Sequence, residues 1–115
     1  MITINGNNLD LEAFIKVARF KESVAIAQEN EALIKKAENY VSRIVEDERP
    51  VYGINTGFGK LSNVAIEKCE VSRLQKNLLM SHACGVGDPF SEEIVRGMML
   101  LRINALIKGY SGIRM

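Results

Sequence analysis

Two side chains in this 115-residue sequence have the type and setting for acid–base chemistry. Tyr52 sits in Pro50-Val51-Tyr52-Gly53-Ile54-Asn55-Thr56-Gly57-Phe58-Gly59, where three glycines in seven residues exclude a regular helix or strand. Tyr52, Ile54 and Phe58 make this loop sticky as well as bendable, so it is expected to pack inward and to present Tyr52. A phenol acts as a base only once ionised. Its reference pKa of about 10 leaves roughly one in a thousand as phenolate at pH 7, and reaching neutrality takes about 4 kcal/mol of preferential stabilisation. N–H donors or a nearby cation would supply that. The plainer reading is a tight, buried connection between two helices, with Tyr52 a packing residue whose hydroxyl is hydrogen-bonded. His82, the single histidine, suits an acid, a base or a substrate contact. Against this stands the ordinary role of a histidine at a helix C-terminus, as a cap or a satisfied core residue.

Other chemistries find little support. Cys69 and Cys84 lack a CxxC spacing, and with one histidine no zinc set is assembled. They are expected to be free, buried thiols of a reducing cytoplasm. The glycine loop matches neither GxGxxG after a strand nor GxxxxGK[ST], so it is not read as a phosphate cradle. No Ser-His-Asp or Cys-His set follows from spacing. A net charge of +1 offers no steering toward nucleic acid or an anionic membrane. No apolar run reaches the length of a membrane span, and the first residues lack the basic and apolar regions of a signal peptide.

The elements that must position Tyr52 and His82 are mostly helical. Ile2-Thr3-Ile4 alternates and is stopped by Asn5-Gly6-Asn7-Asn8, which reads as a short strand. Ser23-Val24-Ala25-Ile26 either pairs with it or opens the second helix. Asp10 caps a first helix running from Leu11 to Arg19 or Phe20, with Leu11, Phe14, Ile15 and Ala18 on one face. A second helix is expected over Gln28 to Asp47, with a stripe of Leu33, Ala37, Tyr40 and Ile44 flanked by Ile34, Val41 and Val45. Pro50 prevents its continuation. A third starts at Glu67 or Glu70 and runs to Ala83, with a core stripe of Val71, Leu74 and Leu78. Gln75, Leu78, Leu79 and His82 form a second line on it, so His82 falls on the last turn of a mostly apolar face. Ser91 caps a fourth helix reaching Lys108, about 27 Å long. Its apolar residues, from Ile94 to Ile107, cover almost the whole circumference, so it needs cover on several sides. Residues 1–115 are therefore expected to be one incomplete segment of a longer protein, or to rely on a partner.

Val51-Tyr52-Gly53-Ile54-Asn55-Thr56-Gly57-Phe58-Gly59, Leu74-Gln75-Lys76-Asn77-Leu78, Ser81-His82-Ala83-Cys84-Gly85-Val86-Gly87, Leu100-Leu101-Arg102 and Gly109-Tyr110-Ser111-Gly112-Ile113-Arg114 resemble, in order and spacing, the N-terminal part of the aromatic amino acid ammonia-lyases. Ser81-His82 resembles the histidine-deaminating branch, since phenylalanine- and tyrosine-selective relatives carry Phe-Leu or His-Leu there. The resemblance implies a cytoplasmic, mainly α homotetramer of the L-aspartase-like fold that converts L-histidine to trans-urocanate and ammonia. It implies a methylidene-imidazolone electrophile (MIO) made from an internal Ala-Ser-Gly. It makes Tyr52 the catalytic base at the substrate β-carbon, places His82 and Ser81 against substrate, and gives Gly53, Gly57 and Gly59 the shaping of the loop. An aminomutase or a lyase for another aromatic amino acid, or a non-catalytic helical assembly module, are the alternatives. One departure is large: the sequence contains no Ala-Ser-Gly, and its only Ser-Gly, Ser111-Gly112, follows Tyr110. The 115 residues alone are therefore expected to be inactive.

Overall fold

The computed structural model describes residues 1–47 and 49–115. In chain order the elements are β1 (Ile2–Ile4), α1 (Leu11–Ala18), β2 (Val24–Ile26), α2 (Gln28–Glu46), α3 (Val71–His82) and α4 (Glu92–Leu106). Single 3₁₀ turns at Gly59–Leu61 and Lys68–Glu70 precede α3. The chain divides into two units, residues 1–39 with 88–115, and residues 40–87.

In the first unit β1 and β2 pair in parallel, with Ile2 opposite Val24 and Ile4 opposite Ile26. Parallel strands cannot be joined by a tight turn, and α1 provides the crossover. This settles Val24–Ile26 as strand rather than the opening of α2. Asp10 caps α1, its carboxylate accepting from the Ala13 N–H at 2.8 Å. Ser91 occupies the N-cap position of α4 without a side-chain capping bond. Ile4, Val17, Ile34, Leu100 and Ile107 form the buried core. α1 and α4 approach closely at Gly97, where a Cβ would lie 2.7 Å from the Phe14 ring. A mid-helix glycine costs about 1 kcal/mol relative to alanine, and here that approach is what it permits.

The stripe expected on α2 is rotated. Leu33 and Tyr40 are exposed, whereas Asn30 and Ile34 are buried. The reason is Asn30, a polar residue on the core face. Its amide donates to the Asn5 carbonyl and to the Ile107 carbonyl, both at 3.0 Å. It thereby satisfies two main-chain carbonyls, a half-buried one just past β1 and a buried one at the C-cap of α4. The apolar excess of α4 is real: Ile94, Met98, Met99 and Leu101 stand about half exposed. Both cysteines are free, as expected, but exposed rather than buried. Among the described residues no helix is long and apolar enough to cross a membrane.

Candidate active site

The loop that carries Tyr52 lies in the second unit and is folded around a polar residue. Asn55, 3% exposed, accepts from the Val51 N–H at 2.8 Å through its side-chain oxygen and donates to the Arg49 carbonyl at 3.0 Å. These two bonds close the turn Val51–Asn55 like a backbone ladder, and Tyr52 rides at its tip. The far end of the loop is pinned by main-chain bonds, Ile66 N–H to the Asn55 carbonyl and Gly57 N–H to the Val64 carbonyl. Thr56, 1% exposed, forms a bridge with Ala65. The residues that pack inward are thus Asn55 and Thr56. Tyr52 is 64% exposed, so it is presented rather than packed, and the plainer reading of it as a packing residue in a buried connection is corrected. Neither residue was singled out from sequence; an Asn two residues after a glycine in a non-helical stretch was the available signal, since Asx side chains commonly close such turns.

The glycines do shape the loop, by two routes. Gly53 has φ +80° and Gly59 φ +58°, in the left-handed region that L side chains avoid. Gly57 is required by proximity, because a Cβ there would sit 2.6 Å from the Leu61 Cβ and 2.7 Å from the Leu61 carbonyl oxygen.

Ser81 and His82 lie on the last turn of α3, as their spacing predicts, and both are exposed. The Ser81 hydroxyl donates to the Leu78 carbonyl at 2.8 Å, and His82 Nδ1 stands 3.0 Å from that carbonyl and 3.0 Å from Ser81 Oγ. The two residues border a largely apolar groove of about 430 Å³ whose walls include Gly57, Phe58, Leu74 and Leu78. Tyr52 and Gly59 border a separate open hollow with Pro50 and Ser62. Phe58 stands between the two: it lines the groove, and its ring meets the Tyr52 ring edge to face. The structure therefore brings Ser81, His82 and Gly57 together and leaves the Tyr52 hydroxyl outside their groove.

This arrangement can seat an apolar ring with a polar edge beside His82. It is too open for general-base catalysis, which needs a base held against the right carbon in a dry site. Among the described residues no group of three or more His, Cys, Asp or Glu side chains is placed to hold a metal ion.

Comparison with known proteins gives the wider setting. Residues 9–115 match the family described as aromatic amino acid lyase. The histidine ammonia-lyase of Alkaliphilus metalliredigens is 56% identical over 113 residues, covering 98% of this chain and 22% of that protein. The crystal structure of histidine ammonia-lyase from Trypanosoma cruzi superposes with a TM-score of 0.89 at 36% identity, over 99% of this chain and 22% of the other. Tyrosine aminomutase from Streptomyces globisporus superposes at 0.91 with 34% identity, over 98% and 22%. The chain thus spans about a fifth of the length of these relatives, and it belongs to the aromatic amino acid lyase family.

Proposed function

We propose that these 115 residues are the N-terminal segment of a histidine ammonia-lyase that eliminates ammonia from L-histidine to give trans-urocanate. Tyr52 is the base that removes the β-proton, and His82, with Ser81 beside it, contacts the substrate's imidazole. The observation that carries the reading is the pairing of a tyrosine on a braced, glycine-shaped turn with a histidine at the edge of an apolar groove in the same unit. The open setting of Tyr52 fits a segment whose site is closed by residues outside it. Removing an unactivated β-proton requires that closure.

The family's MIO group supplies the electrophile that makes the amino group a leaving group. The residues present do not fit its formation. The sequence has no Ala-Ser-Gly, and its one Ser-Gly follows Tyr110, which is 92% exposed and offers no enclosed tripeptide. What this chain contributes is a proton acceptor, a ring contact and a shaped loop. The segment by itself is accordingly inactive and acts within a larger assembly, a homotetramer in the cytoplasm.

The test is direct. Incubating the 115-residue chain with L-histidine should give no urocanate absorbance, while a complete lyase carrying this segment should. Turnover by the chain alone would contradict the proposal. Preference of the complete lyase for tyrosine or phenylalanine, or formation of a β-amino acid, would move it to another branch of the family.

A further inference from the structure

The last turn of α3 carries more information than the presence of a histidine. The carbonyl of Leu78 has no proton to give. The Ser81 hydroxyl stands 2.8 Å from that carbonyl, within reach to donate its single proton there. His82 Nδ1 faces both oxygens at 3.0 Å. The carbonyl can only accept, which favours the proton on Nδ1, and the Ser81 hydroxyl, when its own proton is turned to that carbonyl, accepts beside it. In a neutral imidazole the other nitrogen then holds the lone pair. Nε2 is left free of the helix, on an exposed ring at the edge of the apolar groove.

We propose that Ser81 is a positioning residue that locks His82 in the Nδ1–H tautomer, so that Nε2 is presented as an acceptor for a ring N–H or O–H of the bound substrate. This rests on the reading of His82 as a substrate contact, and it names what that contact selects. A ring bearing a donor at its edge is recognised, and a bare phenyl ring leaves the acceptor unpaired, which costs binding wherever the site is closed to water. The lock is built from α3 alone, since Leu78, Ser81 and His82 stand at i, i+3 and i+4 on one helical face.

The chain has one histidine, so its imidazole ¹⁵N resonances are read without assignment ambiguity. At pH about 9, where an imidazole is neutral, the wild-type ring is expected to be mainly Nδ1–H. Ser81→Ala removes one of the two acceptors and should shift the tautomer ratio about fivefold toward Nε2–H, and Ser81→Thr should restore it. A wild-type ring mainly in the Nε2–H form overturns the lock, whether α3 is folded or frayed, because the lock needs an intact α3 turn. A ratio unmoved by Ser81→Ala overturns the role of Ser81. Failure of the functional reading is read separately. A locked tautomer together with equal turnover of L-histidine and L-phenylalanine by a complete lyase would leave the lock standing and remove the substrate assignment.

Discussion

The Tyr52 and Phe58 rings meet edge to face, with centroids 6.0 Å apart and planes inclined at 69°. Phe58 is thus the rest against which the exposed phenol is steadied, and it also walls the His82 groove. Edge-to-face pairs contribute about 0.5–1.5 kcal/mol beyond burial. Replacing Phe58 with Leu keeps the wall apolar and removes the rest. In a complete lyase, kcat for L-histidine should fall about tenfold with the fold retained, because the proposed base, displaced by an ångström, would lose its alignment. Steady-state kinetics with a circular dichroism control checks this, and unchanged kcat would count against Phe58.

Asn55 should matter more to the loop than any of its glycines. Asn55→Ala leaves the Val51 N–H and the Arg49 carbonyl without their partner. Opening of the turn should become easier by about 2 kcal/mol, roughly one for each bond lost. Amide hydrogen exchange at Val51 and Ile66 reports it, as faster exchange confined to residues 50–66.

Asn30 is the corresponding polar anchor of the first unit. Asn30→Ala strands one buried and one half-buried carbonyl and should cost about 2–4 kcal/mol. Asn30→Asp should be worse at neutral pH, because a buried carboxylate would face two carbonyl oxygens. Its pKa would be raised above the unfolded value, so the damage should lessen as pH falls toward 4. Urea midpoints measured for both variants at pH 7 and pH 4.5 decide this.

These two asparagines mark what sequence reasoning could and could not reach. The helices were legible because caps, breakers and the 3.6-residue period coincide: Asp10 before α1, Pro50 after α2, Gly85 and Gly87 after α3. The resemblance of Tyr52-Gly53-Ile54-Asn55-Thr56-Gly57-Phe58-Gly59 to the family was equally plain. What stayed hidden were buried polar groups. A hydrophobic stripe drawn on α2 leaves Asn30 out of account, and so it falls on Leu33 and Tyr40. In the glycine loop the aromatic residues drew attention, although an amide that satisfies two backbone groups is what closes the turn. The exposure of Tyr52, Cys69 and Cys84 was also out of reach, since burial is a property of the whole packing.

Charge pairs tie the start of α4 to the end of α1. Lys21 reaches Glu92 and Arg19 reaches Glu93. The hydrogen bond from Lys21, followed by its charge, holds the Glu92 carboxyl below its ordinary pKa. A lowered carboxylate pKa contributes stability above the unfolded value, about 4.3, and the contribution is lost as pH falls through the folded value. The pair is exposed, so the effect is small and screened by salt. Stability followed from pH 6 to pH 3 should fall slightly less for Glu92→Gln than for wild type, with the difference vanishing in 1 M salt.

The half-exposed apolar face of α4 should make the isolated chain associate. Sedimentation at rising concentration is expected to show oligomers, and an apolar dye should bind. A clean monomer that binds no dye would contradict it.

The central claim is that the phenol of Tyr52 takes the β-proton once further segments enclose it. The most direct measurement is deamination of L-histidine by a complete lyase carrying this segment, with and without Tyr52→Phe. The substitution removes one oxygen and keeps the edge-to-face contact with Phe58. Turnover is predicted to fall by about 10²–10⁴-fold with the fold unchanged; a variant that deaminates at the full rate would contradict the account.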